Sequence, residues 1–327
     1  MKSMLSIAML ASGLGSAGAL ANSPLTDALS DYLGTCWANR QPQQYADEIY
    51  CFEHLENDFV RILRQNPGPH GMFYNEEHLF WDAQDARIHS VMYTSGGHVI
   101  ESDGALGEDR VTLFGYREET GELFLRMHWG PVTGESASFI REQYLGEDYG
   151  GWITEDERVF TRQPAATGEE LASTLSGNAT FGEAIEAFSP LMGACWSASF
   201  DDSAAVDTHC FTDLLGRYVR DRHVVPGTPD YSGETVFHYD RESGGLVFRY
   251  VNSIGGHSIG SATLTDNGIE FGEETYTSPD GQEQTFRGRY YDMSDAGYSS
   301  QTEQLVDGEW VVVSEQRFTR AAGPDAE

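Results

Sequence analysis

Gly34-Thr35-Cys36-Trp37 returns 159 positions later as Gly193-Ala194-Cys195-Trp196. The same interval links Tyr50-Cys51-Phe52 to His209-Cys210-Phe211, Phe59-Val60-Arg61 to Tyr218-Val219-Arg220, and Gly96-Gly97-His98 to Gly255-Gly256-His257. Near the ends, Phe160-Thr161-Arg162 matches Phe318-Thr319-Arg320 at 158. A spacing that drifts by about one residue over a whole domain length marks a duplicated domain, not a solenoid of short units. The repeats run over 22–163 and 180–321. Between them, 164–179 is small and polar in composition and reads as a linker, and 322–327 reads as a tail.

Residues 1–21 have the pattern of a signal peptide. Lys2 supplies the positive start, Met4 to Leu14 the apolar run, and Ala19-Leu20-Ala21 the small-residue cleavage site. No later stretch approaches the ~20 apolar residues of a membrane span, so the expected location is periplasmic or secreted. The four cysteines agree. Each repeat carries one pair 15 residues apart, Cys36 with Cys51 and Cys195 with Cys210, and equivalent pairs in an oxidising compartment read as disulfides. Without a Cys-x-x-Cys pattern they do not read as a metal site.

The formal charge is -32. Residues 22–163 hold 25 acidic residues against 10 arginines and residues 164–327 hold 27 against 9, so both halves carry it. A field this negative repels nucleic acid and argues for a soluble, mutually repelling species. Lys2 is the one lysine, so a processed chain has no Schiff-base lysine.

Helical signal is confined to the start of each repeat. Ser23 suits an N-cap and Pro24 the first helical position, with Leu25, Leu29 and Leu33 on one face and a stop at Gly34. In the second repeat Thr180 and Glu183 have capping-box spacing, ahead of Ile185, Phe188 and Pro190. The remainder alternates with period two between Gly, Asn and Asp turns: Glu77 to Trp81, Arg110 to Tyr116, Leu123 to Trp129 and Arg158 to Arg162, then Thr235 to Tyr239, Leu246 to Asn252, Gly268 to Gly272 and Trp310 to Phe318. Eight to ten strands per repeat with no crossover helix predict an all-β chain of two tandem antiparallel β-barrels, each preceded by a short helix.

A short helix, a glycine and tryptophan on the first strand, and a meander ending on an arginine strand resemble the lipocalin-like (calycin) barrels of uncharacterised secreted bacterial proteins. Asp207-Thr208-His209-Cys210-Phe211 and Tyr231-Ser232-Gly233-Glu234-Thr235 carry the same likeness. The resemblance implies that Trp37 with Arg162, and Trp196 with Arg320, close the barrel bottoms. The spacing here is Gly-x-Cys-Trp, where that superfamily has Gly-x-Trp.

The repeats differ in polar content. Where the first has Tyr50, Ile62 and Arg64, the second has His209, Asp221 and His223. Alternate strand residues share a face, so Asp221 and His223 point together while Arg220 points the other way. The candidate ligand residues are His209, Arg220, Asp221, His223, Arg249, Tyr250 and Arg287. An arginine near the His and Asp groups would suit a carboxylate or phosphate, and the larger polar-lined pocket is expected in the second barrel. His209, His223 and Asp221 are metal ligands by type, but no metal motif frames them, and no metal, cofactor or catalytic residue is assigned. Three readings remain open: a periplasmic binding or carrier protein for a small, partly apolar ligand; a barrel enzyme with Asp221 and His223 as acid and base; and a packed envelope protein without a ligand. The sequence sets no oligomeric state.

Overall fold

The structure, a computed structural model, describes residues 23–40, 46–56, 59–68, 71–116, 120–164, 166–175, 186–200, 205–227, 231–240 and 243–321. The expected signal peptide, the tail and the capping box at Thr180 and Glu183 lie outside them. The first barrel consists of β1 (Thr35–Asn39), β2 (Glu48–Glu56), β3 (Phe59–Gly68), β4 (Gly71–Asp82), β5 (Arg87–Thr94), β6 (Val99–Leu106), β7 (Val111–Tyr116), β8 (Leu123–Thr133), β9 (Ser136–Tyr144) and β10 (Trp152–Gln163). The second consists of β11 (Ala194–Ser199), β12 (Val206–Leu214), β13 (Tyr218–Val225), β14 (Tyr231–Asp240), β15 (Gly245–Asn252), β16 (His257–Thr265), β17 (Gly268–Thr277), β18 (Glu283–Ser294), β19 (Gly297–Val306) and β20 (Glu309–Arg320).

In each set every strand pairs antiparallel with its sequence neighbours, and the last closes on the first, so each forms a closed ten-stranded barrel. Closure removes the edges that an open sheet presents for misassociation. All eight strand segments read from the sequence fall essentially within these strands. The chain divides into two compact units, one of them spanning Asn22–Gly177.

The closing seams carry the repeated motif. Trp37 pairs with Arg162 across β1 and β10, and the guanidinium lies 4.8 Å from the ring centroid. Trp196 and Arg320 repeat the arrangement at 5.3 Å. Both tryptophans are fully buried. Their neighbours Cys36 and Cys195 stand directly opposite Cys51 and Cys210, and both disulfides are formed. The contact expected from the calycin resemblance is therefore made, although ten strands exceed the eight of lipocalin barrels.

Helix α1 (Pro24–Ala28) is capped by Ser23, whose hydroxyl accepts from the Thr26 N–H at 3.3 Å. It is shorter than the leucine spacing suggests. At Leu29 the backbone leaves helical values (φ -99°, ψ 8°), and the turns that follow let Leu25, Leu29 and Tyr32 all enter the first barrel's apolar core. The segment read as a linker also differs: it holds helix α2 (Ala166–Leu175), which packs on β1 and β3. Leu171 and Leu175, one turn apart, bury the apolar stripe that its average composition concealed.

The glycines of the Gly-Gly-His segments lie in the turns between β5 and β6 and between β15 and β16. There Gly97 (φ +84°) and Gly255 (φ +90°) hold left-handed backbone that other residues adopt at a cost. No helix of the described residues is long and apolar enough to cross a membrane.

Candidate functional site

The two barrels are filled differently. In the first, Trp129 sits among Tyr50, Phe52, Phe139 and Phe160, with ring centroids 4.8–5.5 Å away. Beside it an arginine is turned inward: Arg64 pairs with Glu77 and lies 5.2 Å from the Tyr50 ring centroid. Glu77 also accepts from Ser90. In the second barrel the Trp129 position, judged by its neighbours Phe211 and Tyr298, is taken by the smaller Tyr290. A cavity of about 410 Å³ opens there.

Apolar walls come from Phe237, Phe248, Phe271, Phe286 and Phe318, and the polar groups gather at β12 to β15. On β12 Asp207 and His209 are alternate residues and face inward together; on β13 so do Asp221 and His223. The register places His209 directly opposite His223, with ring centroids 4.9 Å apart. His209 Nδ1 meets Asp221 Oδ2 at 2.7 Å, and its Nε2 lies 3.3 Å from Asp207 Oδ2. His223 Nε2 meets the Tyr250 hydroxyl at 3.1 Å, and Tyr250 in turn hydrogen-bonds Tyr231. Behind them the fully buried Asn252 donates to the hydroxyls of Tyr276 (3.0 Å) and Tyr231 (3.3 Å), while its Oδ1 accepts from Gly256 N–H at 2.9 Å. The hairpin turn is thus tied to the polar wall.

Gly233 makes this cluster fit. It stands opposite His223 and faces inward, and a Cβ there would sit 2.3 Å from His223 Nε2 and 2.7 Å from the Tyr250 ring.

The electrostatics follow from burial and charge. Desolvation alone would lower the His209 pKa, but the Asp221 carboxylate, and Asp207 with it, outweigh burial and raise it to about 10. Burial would raise Asp207, yet its hydrogen bond from His209 and the nearby His223 imidazole hold it well below the usual carboxylate range. Burial pushes the Tyr250 hydroxyl far up, as does its neighbour Tyr231. On another stretch of wall the Ser258 hydroxyl donates to Glu274 at 2.6 Å, and burial raises the Glu274 carboxyl in spite of that bond.

Five of the seven candidate ligand residues border the cavity: His209, Asp221, His223, Tyr250 and Arg287. Arg220 and Arg249 do not. Each is the odd member of a strand whose neighbours, Val219 and Asp221 or Phe248 and Tyr250, point in, so alternation turns them out. Arg220 ion-pairs with Glu234 at 3.2 Å. The Arg287 guanidinium is engaged as well, with Glu303 at 2.6 Å and 4.2 Å from the Trp310 ring centroid. The expected arginine beside the His and Asp groups is therefore replaced by Asp207 and Tyr250. Asp221 addresses His209, not the His223 that shares its strand face. Asp207, Asn252 and Glu274 were not among the candidate ligand residues read from the sequence; Asp207 stands two residues before His209, at the spacing that shares a strand face. Gly256-His257-Ser258-Ile259-Gly260 also matches a nucleophile-elbow spacing, but it runs through the turn and into β16 with no helix after it, so the strained strand-to-helix turn of that motif is not formed.

Fold and site together define a protein of two disulfide-tied ten-stranded barrels, the first with an aromatic and ion-paired interior, the second enclosing a cavity with a histidine–aspartate floor. No family model matches the chain, and no curated protein matches it. Among solved structures it is similar to a protein of unknown function from the DUF3598 family of Nostoc punctiforme, at 12% identity, covering 90% of this chain and 98% of that one, TM-score 0.19. It is also similar to a single-residue variant of the vaccine antigen transferrin binding protein B from Haemophilus parasuis (11% identity, 78% of this chain and 67% of that one, TM-score 0.19). A double variant of the same antigen follows at 8%, with 76% and 65% covered and a TM-score of 0.16. Likenesses this distant carry no argument about function.

Proposed function

We propose that the protein is a binding or carrier protein whose second barrel holds one small, partly apolar ligand. The observation that carries this reading is the cavity of about 410 Å³ walled by phenylalanines and floored by His209, His223 and Tyr250, within the 300–1,000 Å³ range of ligand pockets. The carboxylate or phosphate end suggested by the arginine content loses its support, because the guanidinia face outward or are paired. A neutral or basic group that hydrogen-bonds to the floor fits the metal-free site better. The Trp37–Arg162 and Trp196–Arg320 contacts support a calycin-like ancestry. The leader pattern of residues 1–21 and the two disulfides support a periplasmic or secreted location, with barrels over 22–163 and 180–321.

The test uses the metal-free full chain and the neutral, fluorescent apolar probe N-phenyl-1-naphthylamine, with native mass spectrometry for any co-purifying molecule. The expected result is one probe per chain, with binding lost in Ser300→Trp, which fills the cavity from its wall. Equal binding by folded Ser300→Trp and wild type overturns the reading.

A further inference from the structure

Four inward-facing groups of the second barrel, Asp207, His209, Asp221 and His223, meet in a geometry that ligand binding alone does not explain. His209 Nε2 lies 3.3 Å from Asp207 Oδ2, and His223 Nδ1 lies 3.5 Å from Asp207 Oδ1. One ligand atom from each of these three residues falls within 4.8 Å of the others. Donors bound at about 2.0–2.2 Å to one tetrahedral ion stand roughly 3.3–3.5 Å apart; each imidazole nitrogen already stands about that far from the Asp207 carboxylate, though from a different oxygen.

Two further observations point the same way. Asp207 Oδ1 and His223 Nδ1 are buried and make no hydrogen bond among the described residues; orphaned buried polar atoms are costly and rare. The far nitrogen of each ring is held. Asp221 takes His209 Nδ1 at 2.7 Å and the Tyr250 hydroxyl meets His223 Nε2 at 3.1 Å. That leaves His209 Nε2 and His223 Nδ1 aimed at Asp207, the arrangement by which outer groups orient metal-binding imidazoles. The competing arrangement, a His209 imidazolium bridging Asp207 and Asp221, accounts for His209 but leaves Asp207 Oδ1 and His223 Nδ1 only the long 3.5 Å contact between them.

We propose that Asp207, His209 and His223 form a site for one divalent transition-metal ion of the zinc class, with Asp221 and Tyr250 orienting the two imidazoles. The ligand set is nitrogen-rich, which suits zinc and its neighbours and disfavours magnesium and calcium. All three ligands border the cavity, so a metal they hold keeps a coordination position facing the space where a small molecule enters. Asp221, a metal ligand by type in the sequence, becomes an outer partner, and Asp207 takes its place. The first barrel has Glu48, Tyr50 and Arg64 at the equivalent positions; with a guanidinium where the second imidazole stands, it offers no such site.

The test titrates chelator-treated full-length protein with Zn²⁺ by calorimetry and with Co²⁺ by visible absorption. One ion per chain is expected. Asp207→Asn and His223→Gln should each lower affinity more than 100-fold, and Tyr250→Phe about 10–100-fold with stoichiometry kept. Circular dichroism identifies any variant that fails to fold. Zinc-edge X-ray absorption of the wild type needs no variant and should show two imidazoles in a nitrogen–oxygen shell. Absence of Zn²⁺ binding by folded wild type, an all-oxygen shell, or unchanged affinity in folded His223→Gln overturns the proposal. Probe binding by the metal-free chain addresses the cavity alone, so the two readings fail separately.

Discussion

At the residue scale, the candidate site depends on one absent side chain and one shared proton. Gly233 leaves room for His223 and Tyr250, and Gly233→Ala places a methyl group 2.3 Å from His223 Nε2. The variant should lose about 1–3 kcal/mol, the cost of overpacking a core, and should weaken probe binding; urea denaturation and fluorescence titration check both. The proton belongs to His209 in the metal-free protein. Its folded pKa, raised from 6.5 to about 10, means its contribution to stability is complete below 6.5 and is lost as pH rises towards 10. Asp207, depressed by the histidines, contributes above the ordinary carboxylate range and loses that contribution as pH falls. Chelated protein should therefore be most stable between about pH 4 and 6.5 as far as this cluster decides. Asp221→Asn should flatten the alkaline limb and cost about 1.5–3 kcal/mol, because it removes one of the two carboxylates that hold the buried His209 proton. Urea midpoints across pH measure this, and an unchanged alkaline limb in the variant would refute it.

At the element scale, α2 behaves as part of the first barrel. A Cβ at Gly168 would stand 3.3 Å from Cys36 Sγ, so the helix lies against the Cys36–Cys51 disulfide. Leu171 is 3% exposed. Leu171→Ala should cost about 2–5 kcal/mol and make Cys36–Cys51 reduce faster in dithiothreitol, with Cys195–Cys210 unaffected; mass-spectrometric mapping of alkylated cysteines reads each bond. Equal reduction rates in variant and wild type would mean the helix does not shield the bond.

At the scale of the whole molecule, charge dominates. A formal -32 with both halves acidic makes self-repulsion a standing cost of the compact state. Screening shortens its reach from about 30 Å at 0.01 M salt to about 8 Å at 0.15 M. Raising sodium chloride over that range should raise the melting temperature of the metal-free chain, measured by calorimetry. A flat or falling dependence would show that local ion pairs such as Arg158 with Glu48 outweigh the net field.

The duplication, the barrel class and the cysteine pairing were legible in the chain because repetition, period-two alternation and equal spacing are properties of order along it. Alternation also told which of Asp221 and Arg220 would share a face with His223. It did not tell which face pointed inward, nor which residues of neighbouring strands would meet. That is a matter of register: the pairing of β12 with β13 sets His209 opposite His223 and brings Asp207 and Asp221 to opposite sides of one imidazole. Arg220 and Arg249, read as ligand groups, turn away from the cavity for the same reason, since one step along a strand reverses a side chain. Whether a barrel is hollow is still less local. Trp129 with the Arg64–Glu77 pair occupies one interior, and Tyr290 leaves space in the other, because closure brings together side chains from strands across the whole sheet, and their summed volume has no signature along the sequence.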